Sequence, residues 1–356
     1  MYRHTSRPSR FPLRPLRFAL FALLLAALVA CGDSVQKYQG YAFGAPVEIS
    51  IHGIGDRQAH QVADEILAEF DRLQKMLGVS GPRELATLND SLARGESTTV
   101  SPELARIVRA AADLSEKSGD RYAPATGKLS ALWGFYADAP PPVEPAATNI
   151  DALVKANPRM ADITTAGDRI ASVNRAVRLD FDGHVKGYAL DRARAILGAR
   201  GVKSALVSIG GNITTLGERG TRPWKVGIQH PRKEGPIAVV ELYDGEALAT
   251  SADYVRYFEL AGKRYCNVID PATGYPVQGV EATVVIAKAG EQTGALADAA
   301  ARAIFVAGVA GWRDTARGMA TDTALLIDGK GEVHITATLA RRIDFKLPKP
   351  VVHETP

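Results

Sequence analysis

Carboxylates that end apolar runs and are followed by glycine are the residues best placed for chemistry in this chain. Asp180 and Asp182 close such a run in LDFDGHVKGYALD (Leu179–Asp191), just ahead of Lys186-Gly187, where the pattern predicts a helix start. Free N–H groups, a helix dipole and a cation together make a phosphate cradle. A glycine-rich connector carrying a surface lysine would read the same way, and the Walker spacing is absent. Gly210, Gly211 and Asn212 follow the apolar run Ser204–Ile209; paired glycines admit a flat or charged ligand to the backbone, or simply turn the chain. Asp270 precedes Pro271, and Thr273-Gly274-Tyr275-Pro276 adds a second turn, so a carboxylate is presented on a fixed loop. Asp298 enters a helix, where an acid suits the dipole or a metal. Trp133 and Phe135, in LSALWGF, suit an aromatic ligand or a core.

The elements that must position these groups are read from periodicity. Thr250-Ser251 is expected as a turn into a β-hairpin, Tyr254–Leu260 and Arg264–Ile269, reversed at Ala261-Gly262-Lys263. Val47, Ile49 and Ile51 alternate as a strand. Val62, Ile66, Phe70 and Leu73 form a helical stripe from Asp56, stopped at Gly78. The segment Gly81–Gly95 reads as a polar connection, and Ser101-Pro102 as a capped helix start running to Gly119. A short helix is expected over Ile150–Ala156. Beyond Ile170 the reading is strand (Arg178–Phe181), helix (Gly187–Arg200) and strand (Ser204–Ile209). Strands follow at Trp224–Ile228, Ala238–Leu242 and Ala282–Ala287, then a helix over Ala295–Val306 and a hairpin over Thr323–Ile327 and Glu332–Ile335. Strands and helices mix without strict alternation, which predicts an α+β catalytic unit.

The formal charge of +4 comes from one place. Arg3, Arg7, Arg10, Arg14 and Arg17 lie before residue 31, and taking these five from 43 basic residues leaves 38 against 39 acidic ones. A nearly neutral domain has no nucleic-acid footprint. The basic start, the apolar run Phe18–Ala30 and Leu28-Val29-Ala30-Cys31 read as a signal peptide over 1–30, too short to span a bilayer comfortably. LVAC resembles a bacterial lipobox with Cys31 as the lipidated residue; a plain secretory signal or an uncleaved anchor is the competing reading. The expected organisation is a signal peptide (1–30), an anchored linker (31–37), one catalytic domain (38–346) and a tail (347–356). Cys266, the other cysteine, is expected half-buried in the hairpin, and no Cys/His cluster has zinc spacing.

Taken in order, the blocks resemble the ApbE family, the FAD:protein FMN transferases. Their members typically read LWGF, LDxGGxxKGYAVD, LxNxGGNI, PWxVGIxxP, ATSGDY…RYxHIIDPxTGYP and a late Ala-Asp entering a helix. Here these stand at Leu132–Phe135, Leu179–Asp191, Leu206–Ile213, Pro223–Pro231, Ala249–Val277 and Ala297-Asp298. The resemblance implies an ApbE-like, T-fold-like set of mixed sheets with packed helices, in two lobes around a flavin cleft. It implies FAD as substrate and Mg²⁺, with FMN passed to a Thr or Ser hydroxyl of an acceptor protein and AMP released. It implies a bacterial envelope location, lipid-anchored and facing the periplasm. By the same resemblance Asp270 and Asp298 are metal-side carboxylates, Asp298 with the Val185 carbonyl as the metal ligands. Trp133, Asp182, Lys186, Gly187, Gly210, Gly211, Asn212, Ser251, Tyr254, Thr273 and Gly274 are cofactor-binding.

The departures fall at the reacting centre, where Asp270, Asn267 and Arg302 are the catalytic candidates. Asn267 stands at the family's HIIDP histidine and cannot take a proton near neutral pH. Arg302 stands at the usual hydroxyl residue four positions past the late Asp. Tyr122-Ala123-Pro124-Ala125 replaces FDPT, and Phe43-Gly44-Ala45 replaces Met-Gly-Thr. His184 beside Asp182 is a possible base from a new direction. These changes keep open a second reading: a flavin-binding lipoprotein of the same fold without transferase chemistry.

Overall fold

The computed structural model describes residues 35–78, 81, 83–346 and 348–355; the expected signal peptide and Cys31 lie outside them. The chain opens with β1 (Val35–Ala42) and β2 (Ala45–His52). They are joined by Phe43 and Gly44, both at positive φ (53° and 71°), as a tight hairpin requires. Residues 35–37, expected as linker, are therefore already strand. Helix α1 (Asp56–Met76) buries Val62, Ile66, Phe70 and Leu73 along the expected stripe. Helix α2 (Glu84–Arg94) occupies what reads as a polar connection: Leu85, Leu88 and Leu92 make a three-residue apolar seam that the polar residues between them disguise. Strand β3 (Thr98–Thr99) leads to α3 (Pro102–Lys117), where Ser101 Oγ accepts from the Leu104 N–H at 3.2 Å. Then come α4 (Gly127–Leu132), α5 (Ala147–Ala156), β4 (Ile163–Ala166) and β5 (Arg169–Ser172).

The segment Arg178–Phe181 is not a ladder strand as expected. It is pinned to 124–127 by Gly127 N to Arg178 O (2.9 Å), Arg178 N to Ala125 O (3.0 Å) and Asp180 N to Pro124 O (2.8 Å). It feeds α6 (Val185–Ala199), β6 (Ser204–Ile209) and β7 (Asn212–Leu216). Next are β8 (Trp224–Gln229), β9 (Pro236–Leu242) and β10 (Ala247–Ala252), so Thr250 and Ser251 are strand residues rather than a turn. The hairpin is β11 (Tyr257–Leu260) and β12 (Lys263–Cys266), shorter at both outer ends than expected. After β13 (Val280–Ala287) come α7 (Thr293–Gly318), kinked at Gly308, then β14 (Ala324–Asp328), β15 (Val333–Thr336) and α8 (Ala337–Ala340). Finally β16 (Ile343–Phe345) pairs with β9, and β17 (Val352–Thr355), inside the expected tail, pairs in parallel with β15.

Nine strands form one sheet in the order β1-β2-β6-β7-β10-β13-β14-β15-β17, antiparallel except at its last pair. Every residue of β13 is buried, as befits a strand covered on both faces. Helices α1 and α6 cover the β2–β6 end with Ile49, Ile66, Phe70 and Val207, while α3 and α7 pack a second core around Leu104, Ile304 and Phe305. The opposite face is closed by β8 and β9 through Trp224, Val240 and Leu242. The β11–β12 hairpin, α4 and α5 share a smaller core of Trp133, Phe135, Ile150, Phe258 and Tyr265. Cys266 is fully buried, in the core shared with α3 and α7, rather than half-buried, and burial pushes its thiol up to about 11.

Candidate active site

The last turn before α6, the start of α6, the middle of α7 and the segment after β12 converge on one carboxylate. Asn267 Nδ2 donates to Asp182 Oδ2 at 2.9 Å, and Arg302 Nη2 reaches the same oxygen and the Asn267 carbonyl, each at 3.4 Å. Gly183 makes room: a Cβ there would lie 2.2 Å from Arg302 Cδ. Burial pushes Asp182 up, but Arg302, Lys186, Arg256 and the Asn267 amide outweigh it and hold the carboxyl below the usual range. Its neighbour Asp180 goes the other way, raised first by burial and then by Asp182. Geometry agrees, because Tyr136 Oη has one proton and two oxygens at 2.9 Å, Gly127 O and Asp180 Oδ2. Tyr136 has a single proton for these two acceptors, so neither bond is fully made.

This cluster lies where three hollows meet. A cavity of about 780 Å³, lined by Lys186, Gly210, Gly211, Phe43 and Ser208, shares Asp182, Arg256 and Asn267 with a second of about 240 Å³. The second is walled by Phe43, Phe135, Tyr136 and Phe181. A small third hollow, bounded by Arg121, Pro124 and Thr126, meets it at Asp180, Asn267 and Arg302. Two compartments with a charged neck between them suit a ligand with two ring systems and a charged middle. Arg256, Tyr136 and Phe181 escape sequence reasoning. The available signals were the Arg-Tyr pair within the hairpin block and the aromatic that follows LWGF.

Other expected site residues stand elsewhere. Gly187 serves helix packing: a Cβ there would meet Gly294 O at 2.1 Å, and its N–H donates to Asp298 Oδ2 at 3.0 Å instead of facing a phosphate. Gly210 and Gly211 do line the larger cavity, but Gly210 gives its N–H to Pro46 O at 2.9 Å and so offers no free donor there. Asn212 Oδ1 accepts from Thr250 N at 3.0 Å. Trp133 is 1% exposed, stacks on Tyr265 at 5.5 Å and donates to Gly274 O at 2.9 Å, so it is core. Tyr254 packs on the β8–β9 side, raised by burial to about 12, and Ser251 offers its carbonyl to Thr283 Oγ1 at 3.4 Å. Asp270 closes its own turn, accepting from Ala272 N (2.9 Å) and Thr273 Oγ1 (3.3 Å), and faces a separate hollow of about 480 Å³. Prolines and a buried Gly274 carbonyl fix that loop, so the carboxylate turns inward on its own backbone rather than toward Asp182. His184 is buried between Tyr122 and Tyr188 at 6.2 and 6.3 Å, lowered by burial to about 4, with both ring nitrogens unpartnered. It is no base for the cavity.

The residues at the implied magnesium position do not fit that ion. Asp298 is buried, raised by that burial, and already accepts from Gly187; Asn212 Nδ2 lies beside it without hydrogen-bonding geometry. Val185 is the first residue of α6, and Arg302 has five donors and no acceptor. Among the described residues no three His, Cys, Asp or Glu side chains gather as a metal site, whereas Mg²⁺ asks for near-octahedral oxygen.

The ApbE family model matches residues 43–327. This chain belongs to the ApbE family. An FAD:protein FMN transferase of Rhodobacter capsulatus is 36% identical over 304 residues, 85% of this chain and 57% of that protein. The one of Escherichia coli K12 is 29% identical over 282 residues, 74% of this chain and 80% of that protein. The chain thus spans little more than half the length of the first of these relatives and four-fifths of the second. Among solved structures, the ApbE protein of Thermotoga maritima superposes with a TM-score of 0.80 at 28% identity, covering 87% of this chain and 99% of that one. The apo flavinyl transferase ApbE of Pseudomonas stutzeri gives 0.71 at 27%, covering 84% and 93%. The α+β architecture is that of this family.

Proposed function

We propose that this chain transfers FMN from FAD to a Thr or Ser hydroxyl of an acceptor protein and releases AMP. The observation that carries the reading is the charged neck. Lys186, Arg256 and Arg302 surround it, and cavities open from it on both sides. Displacement at phosphorus depends on holding the two oxygens in line and offsetting pyrophosphate charge, so fixed cations there supply what the step needs. The aromatic wall of Phe43, Phe135, Tyr136 and Phe181 suits one ring system, and the Gly211 turn suits the other end of the dinucleotide.

We propose further that Cys31 is lipidated and that the domain works in the bacterial cell envelope, facing the periplasm. The Arg-rich start, the short apolar run and LVAC support this. Incubation of the protein with FAD and an acceptor domain bearing an exposed Thr should leave the acceptor carrying one esterified FMN and should release one AMP for each transfer. FAD held intact beside that acceptor would leave a flavin-binding protein, and no FAD binding would end the reading. Fatty-acid labelling lost in Cys31→Ser tests the anchor.

A further inference from the structure

We propose that Asp182 is the general base of the transfer, beside Asn267, which cannot take a proton near neutral pH. The inference rests on the transferase reading. Where the family pattern has glycine before the next Gly, this chain has Asp182; where it has histidine, this chain has Asn267. The fold brings these two departures, 85 residues apart, to 2.9 Å. A histidine has been exchanged for an amide and, beside it, a glycine for a carboxylate, so the proton-accepting group has moved one residue across a hydrogen bond.

The geometry suits the role. Asn267 and Arg302 both hold Oδ2, which fixes the carboxylate plane, while Oδ1 makes no hydrogen bond among the described residues. The side chain is 44% exposed, and it lines both main cavities. The facing groups are Asp180 from the preceding segment, Lys186 from α6, Arg256 ahead of β11, and Asp298 and Arg302 from α7. Three are cations, and with the Asn267 amide they hold Asp182 ionised and available beside the two carboxyls. In the step, the acceptor hydroxyl oxygen bonds to the FMN phosphorus while the bond from that phosphorus to the bridging oxygen breaks. The electron pair leaves on AMP, and the hydroxyl proton passes to Asp182 Oδ1 and then to solvent. No atom changes oxidation state. An ionised carboxylate does this work in other phosphoryl transfers.

The test compares wild type, Asp182→Asn and the swap Asp182→Gly/Asn267→His, measuring FAD binding by flavin fluorescence and turnover by AMP release and acceptor mass. Asp182→Asn keeps the shape and both neighbours; it should bind FAD within about threefold of wild type and lose about 10²-fold or more in kcat. Wild-type kcat should stay flat down to about pH 5, whereas the swap should recover activity with an acid limb near pH 6.5, the ordinary histidine value. Asp182→Asn with wild-type kcat, or a wild-type acid limb near 6.5, overturns the assignment. A wild-type chain that binds FAD but neither releases AMP nor labels the acceptor overturns the transferase reading and the base with it.

Discussion

Gly187 decides between two accounts of the α6 start, and Gly187→Ala separates them. The added Cβ would sit 2.1 Å from Gly294 O and 2.4 Å from Gly294 C, both backbone atoms that no rotamer change can clear. Ordinary contact needs about 3.4 Å or more, so α6 and α7 must part by over an ångström. That separation also stretches the 3.0 Å bond from Gly187 N to the buried Asp298 carboxyl. Overpacking costs about 1–3 kcal/mol, and a buried bond to a carboxyl about 1.5–3, so together they cost about 2.5–6 kcal/mol. Gly198→Ala is the control on the same helix: nothing lies within 4 Å of its Cβ position. Helix propensity alone should make it neutral or more stable by up to about 1 kcal/mol. Urea unfolding followed by circular dichroism at one pH reads both variants against wild type. If Gly187→Ala unfolds within about 1 kcal/mol of wild type, the two helices are not held by this contact, and a phosphate-facing role for Gly187 returns.

Three further expectations come from residues whose place the structure changes. Trp133→Phe should destabilise by about 1–2 kcal/mol through the lost bond to Gly274 O, with FAD affinity unchanged within about threefold, since the indole is core rather than a flavin platform. His184 is held neutral, with its pKa lowered from 6.5 to about 4. The unfolded chain therefore binds the extra proton first, and the stability present above pH 6.5 is lost as pH falls toward 4. His184→Phe should flatten that limb in urea midpoints taken from pH 7.5 to 4. Arg302→Thr restores an oxygen beside Asp298; its FAD binding should tighten with Mg²⁺ and weaken in EDTA, while wild-type binding should respond to neither, as isothermal titration would show.

Local spacing revealed the elements well wherever one face is apolar. The α1 stripe, the Ser101 cap and β6 stand as periodicity places them. It failed where tertiary contact decides the state. Helix α2 hides a leucine seam among polar residues, and Arg178–Phe181 takes its backbone partners from 124–127 and the Asn89 side chain rather than from a strand ladder. The same distinction governs the site. Block order identified Asp182, Lys186, Asn267 and Arg302, which do converge, but it also nominated Trp133, Tyr254 and Asp270, which point into a core or back on their own turn. A motif records which residue types recur along the chain; it carries no information about which way each side chain faces.

For the departures this matters most. Read along the chain, an asparagine for a histidine and an arginine for a hydroxyl residue look like two independent losses of function. Read in space, both donate to one carboxylate oxygen, and that carboxylate is itself a departure. Leaving either donor without Asp182 would strand a polar group against a buried neck, at about 1–3 kcal/mol for the amide and more for the guanidinium. Asp182 without them would be a partly desolvated anion next to a second carboxyl, Asp180. The three residues therefore stabilise one another as a set, so Asp182→Gly alone, which strands both donors, should be less stable than the swap, which strands only Arg302.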